Sequence, residues 1–506
     1  MASQPTWARP PQVALIILAY LAIHFGVRLW IGPTLGLDDA EQALFAQQWL
    51  LNYRFRAPPL FTWALLGTSH LSDINALTIS LLRYLLFAMI AGFTYLTARW
   101  LIRDARLAAL ATFSFAAIYV FGYYSHHDLT HTTVLSAFLA ASWYAFVRLC
   151  EKPSLPRYLA LGAAMGFGLL GKWNFFMFAA ALPLAALTEP RERALLFNWR
   201  ILPAALLTAA IALPSALWAL HVGPAAGDGL GALLGEPARS WLGGLLLGSA
   251  DLALAVLVYP MPFLAIFLAL LGSAAWRGFN APEMLPEPVV SARFLGRVMA
   301  IAVLLHWLLV PLAGATNFSE RLLQPALQIL PIYLFMLVER GQAADRALSI
   351  YAVLLLTTVA VALAARILVQ AACPGACRTL VPFQAVAEEL RAAGFAGTGT
   401  IVVSDFHLGG NLRLHFPRAR LIDIGYPPRV WPAPSGQGQC LALWPVKASM
   451  DGTFDRYLSR ELGVPVDAPR REGEVNVRLS SLLGGAKTRS YRLLYRLYEP
   501  SQGDCR

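Results

Sequence analysis

Three acids stand within four residues at Asp38-Asp39-Ala40-Glu41, and the stretch Arg54-Phe55-Arg56-Ala57-Pro58-Pro59 follows in the same polar segment. A carboxylate held beside a hydroxyl can take its proton as it attacks, and arginine grips an anionic leaving group with two parallel N–H bonds. Three more polar clusters interrupt an otherwise apolar chain: Tyr123-Tyr124-Ser125-His126-His127-Asp128-Leu129-Thr130-His131, Gly171-Lys172-Trp173-Asn174 and Thr316-Asn317-Phe318-Ser319-Glu320-Arg321. Acids together with several cations suit a reaction whose leaving group is an anion. Each cluster also has a bland explanation. Asp38 followed by Glu41 is the pattern of a helix N-cap with its capping-box partner. His126, His127 and Asp128 are a weak metal signal, and a hydrogen-bonded loop lining a cavity explains them better. Lys172 can snorkel to an interface, and Glu320 with Arg321 can be an interfacial ion pair.

The elements that must position these residues are membrane helices. The chain has 506 residues, is 58% hydrophobic and only 14% charged, with a mean hydropathy of +0.56. A soluble domain carries roughly 25% charged residues, so this is an integral membrane protein. The net charge of +11 is explained by basic loops on the cytoplasmic side, and nucleic acid is not a partner. Apolar runs at 12–31, 77–98, 107–124, 129–147, 158–171, 174–188, 201–220, 250–274, 296–314, 322–338 and 347–370 predict a polytopic α-helical protein of about 11 spans. The first run lacks a small-residue cleavage site after it and reads as a retained span. Fourteen Lys and Arg fall in one set of short loops and seven in the other, counting Arg28 and Arg83 at helix ends. The richer set belongs in the cytoplasm, which puts all four polar clusters outside, facing one cavity.

Between the first two spans, the loop 32–76 is too polar to cross. Ala40, Ala43, Leu44, Leu50 and Leu51 recur there at helical spacing and predict a short helix lying flat on the membrane, ended by Pro58-Pro59. Residues 1–370 thus form a transmembrane domain with an outward-facing loop at 32–76. Residues 371–506 differ in composition and predict a small α/β domain on the outer face. Helices are expected at Phe383 to Ala393 and His407 to Phe416, and strands at 400–404, 421–424, 440–444 and 491–498. Four of the five cysteines (Cys373, Cys377, Cys440 and Cys505) lie in this segment, which fits an oxidising compartment. Pairing Cys373 with Cys377 and Cys440 with Cys505 is one of three connectivities.

The order Asp38-Asp39-Ala40-Glu41, Pro58-Pro59-Leu60-x-x-Trp63, His127-Asp128-Leu129-Thr130-His131, Gly171-Lys172-Trp173-Asn174 and Glu320-Arg321 resembles the bacterial membrane glycosyltransferases of the GT-C superfamily. The likeness is strongest to the branch related to protein O-mannosyltransferases and the lipid A aminoarabinose transferase, and it runs the length of the chain. It implies an inverting transfer of a sugar from a polyprenyl-phosphate donor to an outer-leaflet acceptor at the bacterial inner membrane. The acceptor is a glycolipid of lipid A or lipopolysaccharide type, or alternatively a protein. By this resemblance Asp38 and Asp128 are the catalytic acids, and Lys172 and Arg321 meet the donor phosphate. Asp39, Arg56, His127 and Glu320 complete the substrate-binding set. The aminoarabinose enzymes carry a Glu-Lys pair before the Pro-Pro, where this chain has Arg56-Ala57. No metal is assigned through that pair, a divalent ion stays an open alternative, and aminoarabinose is not carried over as the sugar. The lipid brings its sugar already activated, which agrees with the lack of a P-loop or dinucleotide fingerprint. Two rivals of other classes are a lipid flippase or secondary transporter, and a non-catalytic scaffold for 371–506. Transporters keep ionisable groups near the midplane and often show repeats, whereas these clusters gather at one interface.

Overall fold

The computed structural model describes residues 5–506 apart from 55–57, 223–234, 236–239, 283–287, 373–377, 437, 447–451, 465–468, 470, 480–481, 483–488, 499–504 and 506. Chain contacts divide the molecule into two compact units. One comprises Met1–His24, Phe55–Leu60 and Arg83–Ala364, and the other Phe25–Arg54, Phe61–Leu82 and Ala365–Arg506.

Eight helices among the described residues are long and apolar enough to cross a membrane, from Pro10–Ile31 to Asp345–Ala372. A ninth span is made if the bent pair Glu320–Leu327 and Leu330–Gly341 is counted as one. The runs at 107–124 and 174–188 fold as the shorter apolar helices Ala105–Ala117 and Trp173–Ala186, and the run at 158–171 as Leu155–Gly171. The run expected at 250–274 is two helices, Trp241–Val258 and Phe263–Asn280. Pro260 and Pro262 lie between them and cannot continue a helical ladder. Small residues let some of these helices touch backbone to backbone, which is how spans associate where lipid is as apolar as leucine. Arg83, expected at a helix end, stands within Ala76–Leu101 and is buried there.

In the second unit a five-stranded sheet is ordered β2-β1-β3-β5-β4. The strands are β1 Gly399–Val403, β2 Ala419–Asp423, β3 Gln439–Pro445, β4 Arg471–Leu479 and β5 Arg489–Tyr498. The first three in the order are parallel, and β5 and β4 add on antiparallel. The expected helices appear as Phe383–Ala392 and Phe406–His415. The sequence reading missed β4 and the helix Thr453–Glu461; β4 alternates Arg, Glu and Asn with small or β-branched residues, as a half-exposed edge strand does.

The apolar residues of the first-loop helix, Leu37–Phe45, are buried in protein from Ala40 to Phe45. Leu44 and Phe45 belong to the core of the α/β unit, with Val403, Leu408 and Leu421. Its alternation of alanine and leucine is satisfied by protein. Leu51 does stay exposed.

Cys440 and Cys505 form a disulfide with Cα atoms 5.3 Å apart, tying the chain end to β3 across 65 residues. Cys373 and Cys377 lie outside the described residues, and Cys150 is a buried free thiol. Closing so long a loop constrains the unfolded chain by about 2–4 kcal/mol. Reduction is therefore expected to lower the thermal midpoint of the detergent-purified protein, and an unchanged midpoint after verified reduction would refute that contribution.

Candidate active site

In the helical unit, one end of the bundle collects the polar clusters. The helix Thr130–Glu151 begins just after Asp128, and its N-cap Leu129 is held at a φ of 67°, a left-handed conformation rare for leucine. Such strain persists only where the surroundings enforce it, and it clusters at functional loops. Buried Arg83 reaches this loop, donating to the Ser125 carbonyl (3.4 Å) and to Thr130 Oγ1 (3.3 Å). Lys172 follows the helix Leu155–Gly171 and donates from Nζ to Thr132 Oγ1 at 3.1 Å, four residues along the chain from Asp128. The close approach depends on Gly171, because a Cβ there would sit 2.7 Å from Val134 Cγ1 and 3.1 Å from the Leu135 nitrogen. Asn174 donates to the Leu322 carbonyl (3.3 Å), which joins this turn to the Glu320–Leu323 segment. The Arg321 guanidinium stands 5.8 Å from the centre of the Tyr124 ring, four residues before Asp128. No ion pair joins Arg321 to Glu320 among the described residues, so the pairing considered from the sequence is not formed.

The histidines separate. His126 is fully buried, stacked on His24 (3.7 Å between centroids) and Phe87 (4.6 Å), with its ring nitrogens against the Tyr20 and Tyr84 hydroxyls at 2.7 and 3.3 Å. It is a packing residue. His127 lies between Tyr123 and Tyr124, 5.4 and 5.3 Å from their rings. Asp128, His127, Lys172 and Arg321 are thus gathered at one end of this unit.

In the α/β unit the first-loop acids take up a different arrangement from the one their spacing predicts. The N-cap of Leu37–Phe45 is Gly36, which has extended backbone, accepts the first helical bond from the Ala40 nitrogen at 2.9 Å and has no side chain with which to cap. Asp38 and Asp39 occupy the first turn, where carboxylates suit the positive end of the helix dipole. The capping box is therefore absent. Glu41 reaches forward instead, and its Oε1 accepts from Arg54 Nη1 at 2.7 Å and from the Tyr426 hydroxyl at 2.6 Å. Asp38 is half-buried and Asp39 buried. Arg56 lies outside the described residues.

Behind Glu41, Asp423 ends β2. Burial, and then the charges of Asp405 and Glu41, push its carboxyl up to about 7, against the Gly425 N–H and Arg54, which pull it down. The folded unit therefore keeps this proton well above the 3.8 at which the unfolded chain releases it. A raised acid removes stability as pH climbs from about 4 to about 7. Asp423→Asn retains an acceptor for Gly425 and cannot ionise. It is expected to be about 2–4 kcal/mol more stable relative to the parent at pH 8 than at pH 4.5. Thermal midpoints at the two pH values check this, and a gap that does not widen with pH refutes it.

Sequence reasoning did not find Arg83, Thr132, Tyr426 or Asp423. Tyr426 bonds a residue 385 positions away, and nothing local to Gly425-Tyr426-Pro427 announces that partner.

The fold defines a polytopic helical membrane protein carrying a small α/β sheet unit. The chain is 30% identical over 418 residues to lipopolysaccharide core galacturonosyltransferase RgtB of Rhizobium johnstonii, covering 81% of this chain and 83% of that one. It is 28% identical to RgtA of the same organism, over 85% and 86% of the two chains. Residues 56–218 match the family model described as dolichyl-phosphate-mannose-protein mannosyltransferase. The fold is that of ArnT from Cupriavidus metallidurans, solved bound to undecaprenyl phosphate, with a TM-score of 0.57 at 14% identity over 96% of this chain and 98% of that one. The chain belongs to the GT-C superfamily of membrane glycosyltransferases.

Proposed function

We propose that the protein moves a sugar, with inversion, from a polyprenyl-phosphate donor to a lipopolysaccharide-type glycolipid at the outer leaflet of the bacterial inner membrane, with the reacting groups and the 371–506 segment periplasmic. The observation that carries the reading is the gathering of Lys172, Arg321, His127 and Asp128 at one end of the helical unit, within a family of membrane glycosyltransferases. The curated relatives are named as lipopolysaccharide core galacturonosyltransferases, and the ArnT structure holds undecaprenyl phosphate. Both support this choice of acceptor and donor.

The reaction needs a base at the acceptor hydroxyl and cations at the departing phosphate. Asp38 takes the proton as the hydroxyl oxygen bonds to the anomeric carbon, and the bond from that carbon to the phosphate oxygen breaks with its electrons on the phosphate. Lys172 and Arg321, with Arg56, hold the polyprenyl phosphate as it leaves, and Asp39, His127 and Glu320 bind substrate. Asp128 is the second catalytic acid, in the loop that precedes the Thr132 on which Lys172 is held. An acceptor that is itself a phosphate is already nucleophilic, and Asp38 then orients it without removing a proton.

The test is transfer of labelled sugar from polyprenyl-phosphate donors to extracted lipopolysaccharide in proteoliposomes. Galacturonosyl donor comes first because both relatives carry that sugar in their names, with a neutral hexosyl donor beside it. Transfer to lipopolysaccharide is expected. Transfer to protein alone, or lipid translocation without transfer, would overturn the reading.

A further inference from the structure

The helix that bears Asp38 and Asp39 is fixed to the α/β unit at four places. At its entry, the Leu35 nitrogen donates to Asn411 Oδ1 at 2.8 Å, and the Leu35 carbonyl lies 3.1 Å from His407 Nε2. In its middle the backbone of Ala40 presses on Gly410, where an added Cβ would sit 1.9 Å from the Ala40 oxygen. Beyond its end, Gln47 treats Leu421 of edge strand β2 as a neighbouring strand would, donating to its carbonyl (3.0 Å) and accepting from its N–H (2.9 Å). The fourth place is Glu41. Three of these contacts are made by backbone or by neutral groups, but Glu41 is a buried carboxylate with two donors on one oxygen.

Burying that charge is costly unless it is paired and hydrogen-bonded, so the carboxylate demands both donors. Tyr426 is suited to supply one of them. Burial, and then the Glu41 charge, push its phenol well up, so it stays protonated and donates. Its ring stands edge-on to Phe45 (5.1 Å) and Trp431 (5.8 Å), which fixes where the hydroxyl points. Glu41 follows Asp38 by three residues and therefore shares its helix face, with Cβ atoms about 5–6 Å apart. Fixing the Glu41 carboxylate fixes the rotation of the helix about its own axis, and that rotation decides where Asp38 points.

We propose that Glu41 is a positioning residue for the transfer reaction: clamped between Arg54 and Tyr426, it sets the rotation of the Leu37–Phe45 helix and hence the aim of Asp38. The inference rests on the reading of Asp38 as the reacting base. A misplacement of about 1 Å in a reacting group can cost ~10²-fold in rate, with little change in binding of the remainder of the substrate. The clamp therefore acts on kcat and leaves KM nearly alone.

Tyr426→Phe removes one hydroxyl and keeps the ring contacts, Glu41→Gln keeps an acceptor without the charge, and Glu41→Ala removes both. All are assayed as full-length protein in proteoliposomes with Asp38→Asn alongside, using the monodisperse fraction and recording its thermal midpoint. The expected order of kcat is parent, then Tyr426→Phe and Glu41→Gln about tenfold down, then Glu41→Ala about a hundredfold down, with both KM values within about threefold of the parent. Glu41→Ala/Tyr426→Phe should be no slower than Glu41→Ala alone, because the two side chains form one device. Better activity in Gln than in Ala at equal midpoints is a rescue that general loosening of the fold would not produce. Parental kcat in Glu41→Gln and Tyr426→Phe while Asp38→Asn is inactive overturns the positioning role and leaves the catalytic reading standing. Parental kcat in Asp38→Asn overturns both.

Discussion

Asp38→Asn is expected to lower kcat for sugar transfer by ~10²–10⁴-fold, the usual loss when a general base is removed. The geometry makes the substitution a clean one. Gly36, not Asp38, caps the helix Leu37–Phe45, so no capping bond is lost. Asparagine is isosteric and keeps an acceptor oxygen, and at the helix N-terminus it gives up a carboxylate's attraction for the dipole, about 0.3–1 kcal/mol. That is too small to unfold a membrane protein of this size, and it is separable from a rate loss of orders of magnitude. Matched thermal midpoints and preserved Cys440–Cys505 oxidation establish that the comparison is fair. Asp39→Asn is the neighbouring control and should fall less far in kcat. Asp39 is the more deeply buried of the two, so its substitution is expected to appear first in the midpoint. Parental kcat in Asp38→Asn with a large loss in Asp39→Asn would move the base by one residue. Parental kcat in both would remove the reaction from this helix.

What the sequence reveals about this molecule follows from the range of the forces involved. Spans are local: a run of about 20 apolar residues declares itself. The α/β pattern after residue 371 is local too, since β-branched stretches bounded by turns mark strands wherever they pair. The acids at 38–41 stand out because carboxylates among apolar residues are rare. Their arrangement was not legible. The spacing of Asp38 and Glu41 fits a capping box, yet Glu41 finds a stronger offer in Arg54 and Tyr426, two donors on one buried oxygen. No window of sequence contains Tyr426 and Glu41 together. The fate of the first-loop helix was hidden for a similar reason. An amphipathic pattern shows that an apolar face will be covered, but not whether lipid or a glycine pair such as Gly409-Gly410 covers it. Arg83 was misread because the local sequence places it near the start of an apolar run, and only the fold shows the loop that it serves.

Lys172→Met is expected to reduce kcat/KM for the polyprenyl-phosphate donor by ~10²–10³-fold, the scale seen when one donor to a developing anion is lost. Methionine keeps the apolar stem and loses the ammonium, so a lysine that merely snorkels would tolerate the change. The structure gives Lys172 a more specific setting than snorkelling requires. Gly171 lets its turn press against Val134, and its Nζ is held on Thr132 Oγ1, which points the charge along the start of the Thr130–Glu151 helix. Arg321 is held differently, by the face of Tyr124, an attraction worth about 0.5–1 kcal/mol at an exposed site. Such a contact orients a guanidinium while leaving its N–H edge available for a phosphate. Arg321→Lys keeps the charge and loses the planar fork, so it should be impaired about tenfold, less than Arg321→Ala. The readout that separates phosphate binding from folding is inhibition by the lipid product. If these cations hold the departing phosphate, free polyprenyl phosphate should inhibit Lys172→Met and Arg321→Ala more weakly than the parent, in proportion to their loss in kcat/KM. Inhibition as strong as in the parent, alongside a large rate loss, would assign the two residues to holding the loop at Asp128 and take the phosphate away from them.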